Sequence, residues 1–134
     1  MSSNLPKVDA SGSLQTQAAL RAFFALTDKW KLTRDQSLTL LGRPSASTYH
    51  NWKNLKARSL SHDTLERISY LLGIHKALRI IFSRNIESVD TWIRKPNHHP
   101  LFAGRSALDK MLSGSIADLY IVRRYLDSQR AGWN

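Results

Sequence analysis

Apolar residues in this chain recur at every third or fourth position and nowhere at every second, a pattern that admits helices and offers no candidate strand. Leu20, Phe23, Phe24, Thr27 and Trp30 form one stripe, Leu38 and Leu41 a second, and Leu65, Ile68, Leu71 and Leu72 a third. Ile74, Leu78, Ile81 and Phe82 follow, then Val89, Trp92 and Ile93, then Leu108, Met111 and Leu112, and finally Leu119, Val122 and Leu126. Residues that cap or break helices cut the pattern into short pieces. Thr33, Ser45 or Ser47, Ser61 and Ser106 stand where a side-chain oxygen can accept from the first free N–H groups. Gly42 with Pro44, Pro96 and Gly114 stand where a helix must stop. The expectation is an all-α fold.

Helices are expected from about Ser13 to Trp30, from Thr33 to Gly42, from Ser45 or Ser47 to about Lys56, and from Ser61 to near Gly73. The pattern resuming at Ile74 is either a kinked continuation or a new helix. Residues 1–13, with four Ser, one Asn, one Gly and one Pro, read as a flexible arm, and Lys95–Pro100 as a rigid polar loop. The organisation expected is the arm, a helix-turn-helix bundle over 14–64 and a small helical domain over 65–134.

Several function classes drop out. The apolar runs fall far short of the ~20 residues that a bilayer span needs, so no membrane partner is expected. The chain has no cysteine, which removes disulfides, thiolate zinc sites and thiol nucleophiles together. The first 13 residues hold no apolar stretch of the kind a secretory signal needs, and the expected location is cytoplasmic. His98 and His99 are adjacent in a proline-flanked loop, without helical i, i+4 spacing or a nearby acid, so no metal site is expected. No glycine-rich phosphate loop, paired-carboxylate site or nucleophile–base arrangement is recognisable, so neither catalysis nor a cofactor is expected.

Charge sharpens what remains. The formal net charge is +10, and between Asp35 and Asp63 no acid occurs while Arg43, Lys53, Lys56 and Arg58 do. An acid-free basic window can lie against phosphates without like-charge repulsion, although a solvated face has the same composition. The window coincides with two short helices joined by a Gly turn, the layout of a DNA-binding helix-turn-helix. Gln36 at the start of the first helix can donate to a phosphate. Ser45, Ser47, Thr48, His50 and Asn51 are the small polar side chains that the start of a recognition helix presents to base edges, and Asn51 suits adenine. Lys53, Lys56 and Arg58 would hold the DNA backbone. Tyr49 and Trp52 at i and i+3 face inward, which leaves no aromatic platform for RNA.

This segment resembles the Xre-type helix-turn-helix, with Gln36 opening the first helix, Leu40-Leu41-Gly42 closing it and Ser47-Thr48 leading to Trp52 in the second. Gly42 to Trp52 spans ten positions, one more than the family pattern, with Arg43-Pro44 in the turn. That shifts the groove-facing register by about one position. The later half resembles the toxin-binding domain of Xre/MbcA/ParS-type antitoxins, which pair with RES-domain toxins. The signals run in order: Leu71-Leu72-Gly73-Ile74, Ala77-Leu78, Phe82, Trp92, Pro96-Asn97, Phe102-Ala103-Gly104-Arg105-Ser106, Leu108-Asp109, Gly114, Val122 to Asp127, and Arg130-Ala131-Gly132-Trp133. Ala107 stands where the family often has Pro, and Ala131 where it often has Gly.

The resemblance implies an antitoxin that neutralises a NAD-consuming RES-domain toxin by direct binding and represses its own operon at operator DNA, as a homodimer or a larger complex with the toxin. It implies toxin contact by Trp92, Pro96, Asn97, Phe102, Gly104, Arg105, Arg123, Tyr125, Arg130, Gly132 and Trp133. Trp92 and Phe102 also suit core packing, Pro96, Gly104 and Gly132 suit turns, and Tyr125 adjoins an inward stripe. Asp127, four residues after Arg123, offers it a surface ion pair. A stand-alone helix-turn-helix regulator whose second half only dimerises is the alternative reading.

Overall fold

The computed structural model describes the backbone of residues 5–132 and the side chains of residues 14–130. Seven helices follow in order: α1 Leu5–Lys29, α2 Arg34–Leu40, α3 Ala46–Lys53, α4 His62–Ile81, α5 Ile86–Thr91, α6 Ala107–Met111 and α7 Ile116–Gly132, with a 3-10 turn at Trp92–Arg94 after α5. Among the described residues there is no strand, only an isolated antiparallel bridge between Pro96 and Ser106. The fold is all-α, an N-terminal helix-turn-helix followed by a small helical domain. None of the described helices is long and apolar enough to cross a membrane.

Four of the expected caps are in place. Thr33 and Gln36 form a reciprocal capping box at α2, and Ser45, Ser61 and Ser106 accept from the backbone N–H of Thr48, Thr64 and Asp109. The stops of α1, α2 and α3 share one chemistry. At the end of α2, Gly42 N–H donates to Thr39 O and Arg43 N–H to Leu38 O at 2.8 Å, with Gly42 at φ +90°. Lys31 after α1 and Leu55 after α3 repeat the arrangement at φ +54° and +61°. Leu55 therefore closes α3 at Lys53, three residues before the expected end, because a left-handed residue cannot continue a helix.

α4 is the central strut. Its Ile68, Leu71, Ile74, Ala77 and Leu78 are buried in one core with Leu20, Phe23, Leu26 and Trp30 of α1 and Leu119, Val122 and Leu126 of α7, and α4 packs against both helices. Leu65, placed by sequence on the inward stripe, is 39% exposed, because the core line along α4 runs through Thr64, Arg67 and Ile68, about 100° away.

Two further expectations are corrected. α4 does not end near Gly73 but runs unbroken to Ile81. Gly73 serves close packing there: the guanidinium of Arg123 on α7 lies over it, and a Cβ would stand 2.0 Å from Nη1. The segment read as a flexible arm is helical from Leu5 onward, since extending an existing helix adds about one backbone bond per residue and a lone Gly12 costs only about 1 kcal/mol. Residues 1–4 lie outside the described residues.

The two halves are clipped together by the segment after α4. Asp90 of α5 lies 3.3 Å from Nε2 of His75 on α4, whose ring meets Trp30 edge-on. Nη2 of Arg94 donates to the carbonyls of Trp30 and Lys31, the latter at 2.6 Å, and so caps the C-terminus of α1.

Candidate functional site

The recognition helix is set by its anchors. Tyr49 is buried with its ring edge-on to Phe24 of α1, centroids 5.6 Å apart, and the Arg34 guanidinium covers its ring at 5.3 Å. Trp52, one turn later, is half-buried. With that face fixed inward, Ser47, His50, Asn51 and Lys53 stand exposed on the other.

Capping divides the sequence-derived set. The Ser45 hydroxyl accepts from Thr48 N–H at 3.1 Å and contacts Thr48 Oγ1 at 2.9 Å, so both are engaged in starting α3. Of the rest, His50 and Asn51 lie outside the cap, and Ser47 is exposed with its hydroxyl 3.3 Å from that of Ser45. Gln36 accepts from Thr33 N–H through its side-chain oxygen at 2.9 Å, which leaves the amide NH2 as its donating group. Lys56 and Arg58 are exposed beyond the end of α3.

Two residues outside that set join this surface. Asn54, next on the same helical face, donates to the His50 carbonyl at 2.9 Å and lies 3.3 Å from His50 Nε2, steadying the imidazole. Its i+3 and i+4 relation to Asn51 and His50 was the available signal. Arg43 occupies the lengthened turn in a left-handed conformation, φ +61°, with its exposed guanidinium 3.6 Å from Asp35. The longer Gly42-to-Trp52 spacing marked that position without revealing its geometry. Behind the turn, the nearly buried Arg67 is held by Asp63 at 2.9 Å, and a Cβ on Gly42 would meet its Nε at 3.1 Å.

In the C-terminal half the structure gathers Trp92, Phe102 and Tyr125 into one aromatic cluster. Trp92 and Tyr125 stack with planes 14° apart, and Phe102 meets Tyr125 edge-on at 5.2 Å. His99 joins them, 4.9 Å from Tyr125. Phe102 is 2% exposed and therefore supports the surface from below, while Trp92 and Tyr125 are half-buried.

The loop between Pro96 and Ser106 is held by its own backbone. Asn97 N–H donates to Arg105 O and Asn97 O accepts from Gly104 N–H, each at 3.0 Å, and Asn97 Oδ1 accepts from His99 N–H at 2.8 Å. Gly104 sits at φ +84°, directly after Ala103 at φ +52°. Pro96, Asn97 and Gly104 thus shape the loop, and Arg105 is exposed on it.

The arginines divide likewise. Arg105 borders a hollow of about 600 Å3 that also contains Asp109, Lys110 and Asp118. Arg123 lies across Gly73 and is ion-paired with Asp127 at 3.1 Å, the partner anticipated from sequence. Arg130 stands 4.0 Å from the same carboxylate and borders a second hollow, of about 500 Å3. Gly132 ends α7, and Trp133 lies outside the described residues.

Comparison with known families divides the chain where the two surfaces divide. Residues 13–73 match the antitoxin Xre-like helix-turn-helix domain, and residues 77–132 match the antitoxin Xre/MbcA/ParS C-terminal toxin-binding domain. The chain is also similar to an uncharacterised protein, y4oB, of Sinorhizobium fredii strain NBRC 101917 / NGR234, with 48% identity over 123 residues and 92% of each chain covered. Neither matched domain is of a catalytic family. With both halves matched in order, over an all-α fold that carries a helix-turn-helix and, after it, an aromatic, arginine-bearing surface, the chain belongs to the Xre/MbcA/ParS-type antitoxins of toxin–antitoxin systems.

Proposed function

We propose that this antitoxin neutralises a RES-domain, NAD-consuming toxin by direct, non-catalytic binding in the cytoplasm, and represses its own operon through the helix-turn-helix. The observation that carries the reading is the toxin-binding match over 77–132, the segment whose ordered signals from Trp92 to Trp133 resemble partners of RES toxins. Arg130 and the Gly132-Trp133 end would approach the toxin's active-site entrance, Arg130 meeting acids and Trp133 filling apolar space. Operator binding is supported by the exposed Ser47, His50 and Asn51 on a helix whose opposite face is anchored, flanked by Lys53, Lys56 and Arg58. A two-fold dimer on a palindromic operator, or a larger complex with the toxin, follows from the same reading.

Co-expression with the product of the adjacent gene tests it. The wild-type chain should restore growth and co-purify with that product, and deletion of residues 130–134 should release toxicity while operator binding persists. Growth arrest despite the wild-type chain would refute the antitoxin pairing, and full protection by the truncated chain would refute the tail contact.

A further inference from the structure

The hollow beside Arg130 is built from the last turn of α4, the connection to α5 and the end of α7. Its bounding residues include Ile80, Ile81, Phe82, Arg84 and Arg130, with no acid among the described residues that line it. Ile80 is 45% exposed on the lip, and Ile81 and Phe82 are half-buried beneath it. Arg84 is exposed and makes no ion pair among the described residues. Arg130 is only partly compensated, because Asp127 is shared with Arg123, which holds it at the shorter distance of 3.1 Å.

The neighbouring hollows differ in kind. The one at Arg105 contains Asp109 and Asp118, and Lys110 already pairs with Asp118 at 3.4 Å. Among the described residues, the one at Tyr125 is lined by a single arginine, Arg124, bonded to the Tyr120 hydroxyl at 3.1 Å. Two under-compensated guanidinium groups beside an exposed Ile80 lip and a half-buried apolar floor call for an anion joined to an apolar group. A nucleic acid supplies the anion without an apolar side chain for Ile80, whereas a protein segment supplies both. Every residue named for this hollow falls within the segment matched to the toxin-binding domain.

We infer that this hollow seats an acidic-apolar segment of the toxin, a carboxylate between Arg84 and Arg130 with an adjoining aliphatic or aromatic side chain against Ile80, Ile81 and Phe82. The inference rests on the antitoxin reading and adds Ile80 and Arg84 to its contact surface. Arginine–carboxylate bonds shielded by apolar neighbours are the kind of contact on which interfaces concentrate their energy.

The test uses the full-length chain with the co-expressed product of the adjacent gene, comparing wild type, Arg84→Glu, Arg84→Lys and Ile80→Asp by titration calorimetry after thermal melts establish folding. Charge reversal at Arg84 should weaken the complex about a hundredfold and Ile80→Asp at least about tenfold, while Arg84→Lys retains most of the affinity. Replacing the partner's acids by Lys one at a time should restore binding to the Arg84→Glu chain at one position. Wild-type affinity in a folded Arg84→Glu chain would overturn the inference while leaving the antitoxin reading intact. So would variants that keep the partner but lose a DNA duplex carrying the operon's promoter. Failure of the wild-type chain to bind the partner would overturn both.

Discussion

Arg123 of α7 lies across the Cα of Gly73 on α4, so that one residue's missing side chain is the other's seat. Glycine inside a helix ordinarily costs about 0.5–1 kcal/mol relative to alanine. In the wild-type chain that gain should be largely cancelled when Gly73→Ala pushes the guanidinium away, whereas in an Arg123→Ala background the full gain should appear. Urea unfolding of the four variants measures the coupling, and equal effects in both backgrounds would contradict the packing described.

Arg94 replaces the missing partners of two carbonyls at the end of α1. Charged hydrogen bonds of this kind contribute about 1.5–3 kcal/mol, and exposure of Arg94 places Arg94→Ala at the lower end, about 1.5 kcal/mol of lost stability. Denaturant midpoints should show the loss, and hydrogen exchange should rise first at the end of α1.

His75 makes stability depend on pH. Burial lowers its pKa below the ordinary 6.5, the hydrogen bond to Asp90 opposes that shift, and Lys29 and Arg79 reinforce it. The unfolded chain therefore binds the proton first as the pH falls. The contribution of neutral His75 is complete above about pH 6.5 and is lost progressively below it. Urea midpoints should drop on acidification through this range, and His75→Gln should flatten the drop.

Asn51 and Lys53 are both exposed on α3, and their side chains suit different parts of a DNA site. Asn51→Ala should remove about 1–3 kcal/mol of discrimination between operator and altered-base duplexes. Lys53→Ala should weaken all duplexes alike and reduce the slope of log affinity against log salt by about 1. Fluorescence anisotropy at several salt concentrations separates the two, and identical behaviour would refute the register assigned to α3.

The helices were legible because their caps are local chemistry: Thr33, Ser45, Ser61 and Ser106 act within three residues of themselves. Gly73 was misjudged because its reason lies on α7, fifty positions along the chain, where Arg123 is placed by tertiary packing. The same separation explains the sites. Ser45 suits either a cap or a base reader in sequence, and the geometry settles it as the cap and shows the Thr48 hydroxyl engaged with it. Arg84 and Ile80 carried no signal, since the hollow they border exists only once α7 returns to bring Arg130 beside them.

The uninterrupted course of α4 has a mechanical consequence. The helix-turn-helix match ends at residue 73 and the toxin-binding match begins at 77, both inside His62–Ile81. The helix runs without a break through that point, so the two matched halves are held at a set height and azimuth relative to each other. Helix geometry fixes the gearing at about 100° of rotation and 1.5 Å of advance per residue, so one residue added between Gly73 and Ala77 would turn the halves out of phase and pull Arg94 from the end of α1 and Arg123 from its seat over Gly73.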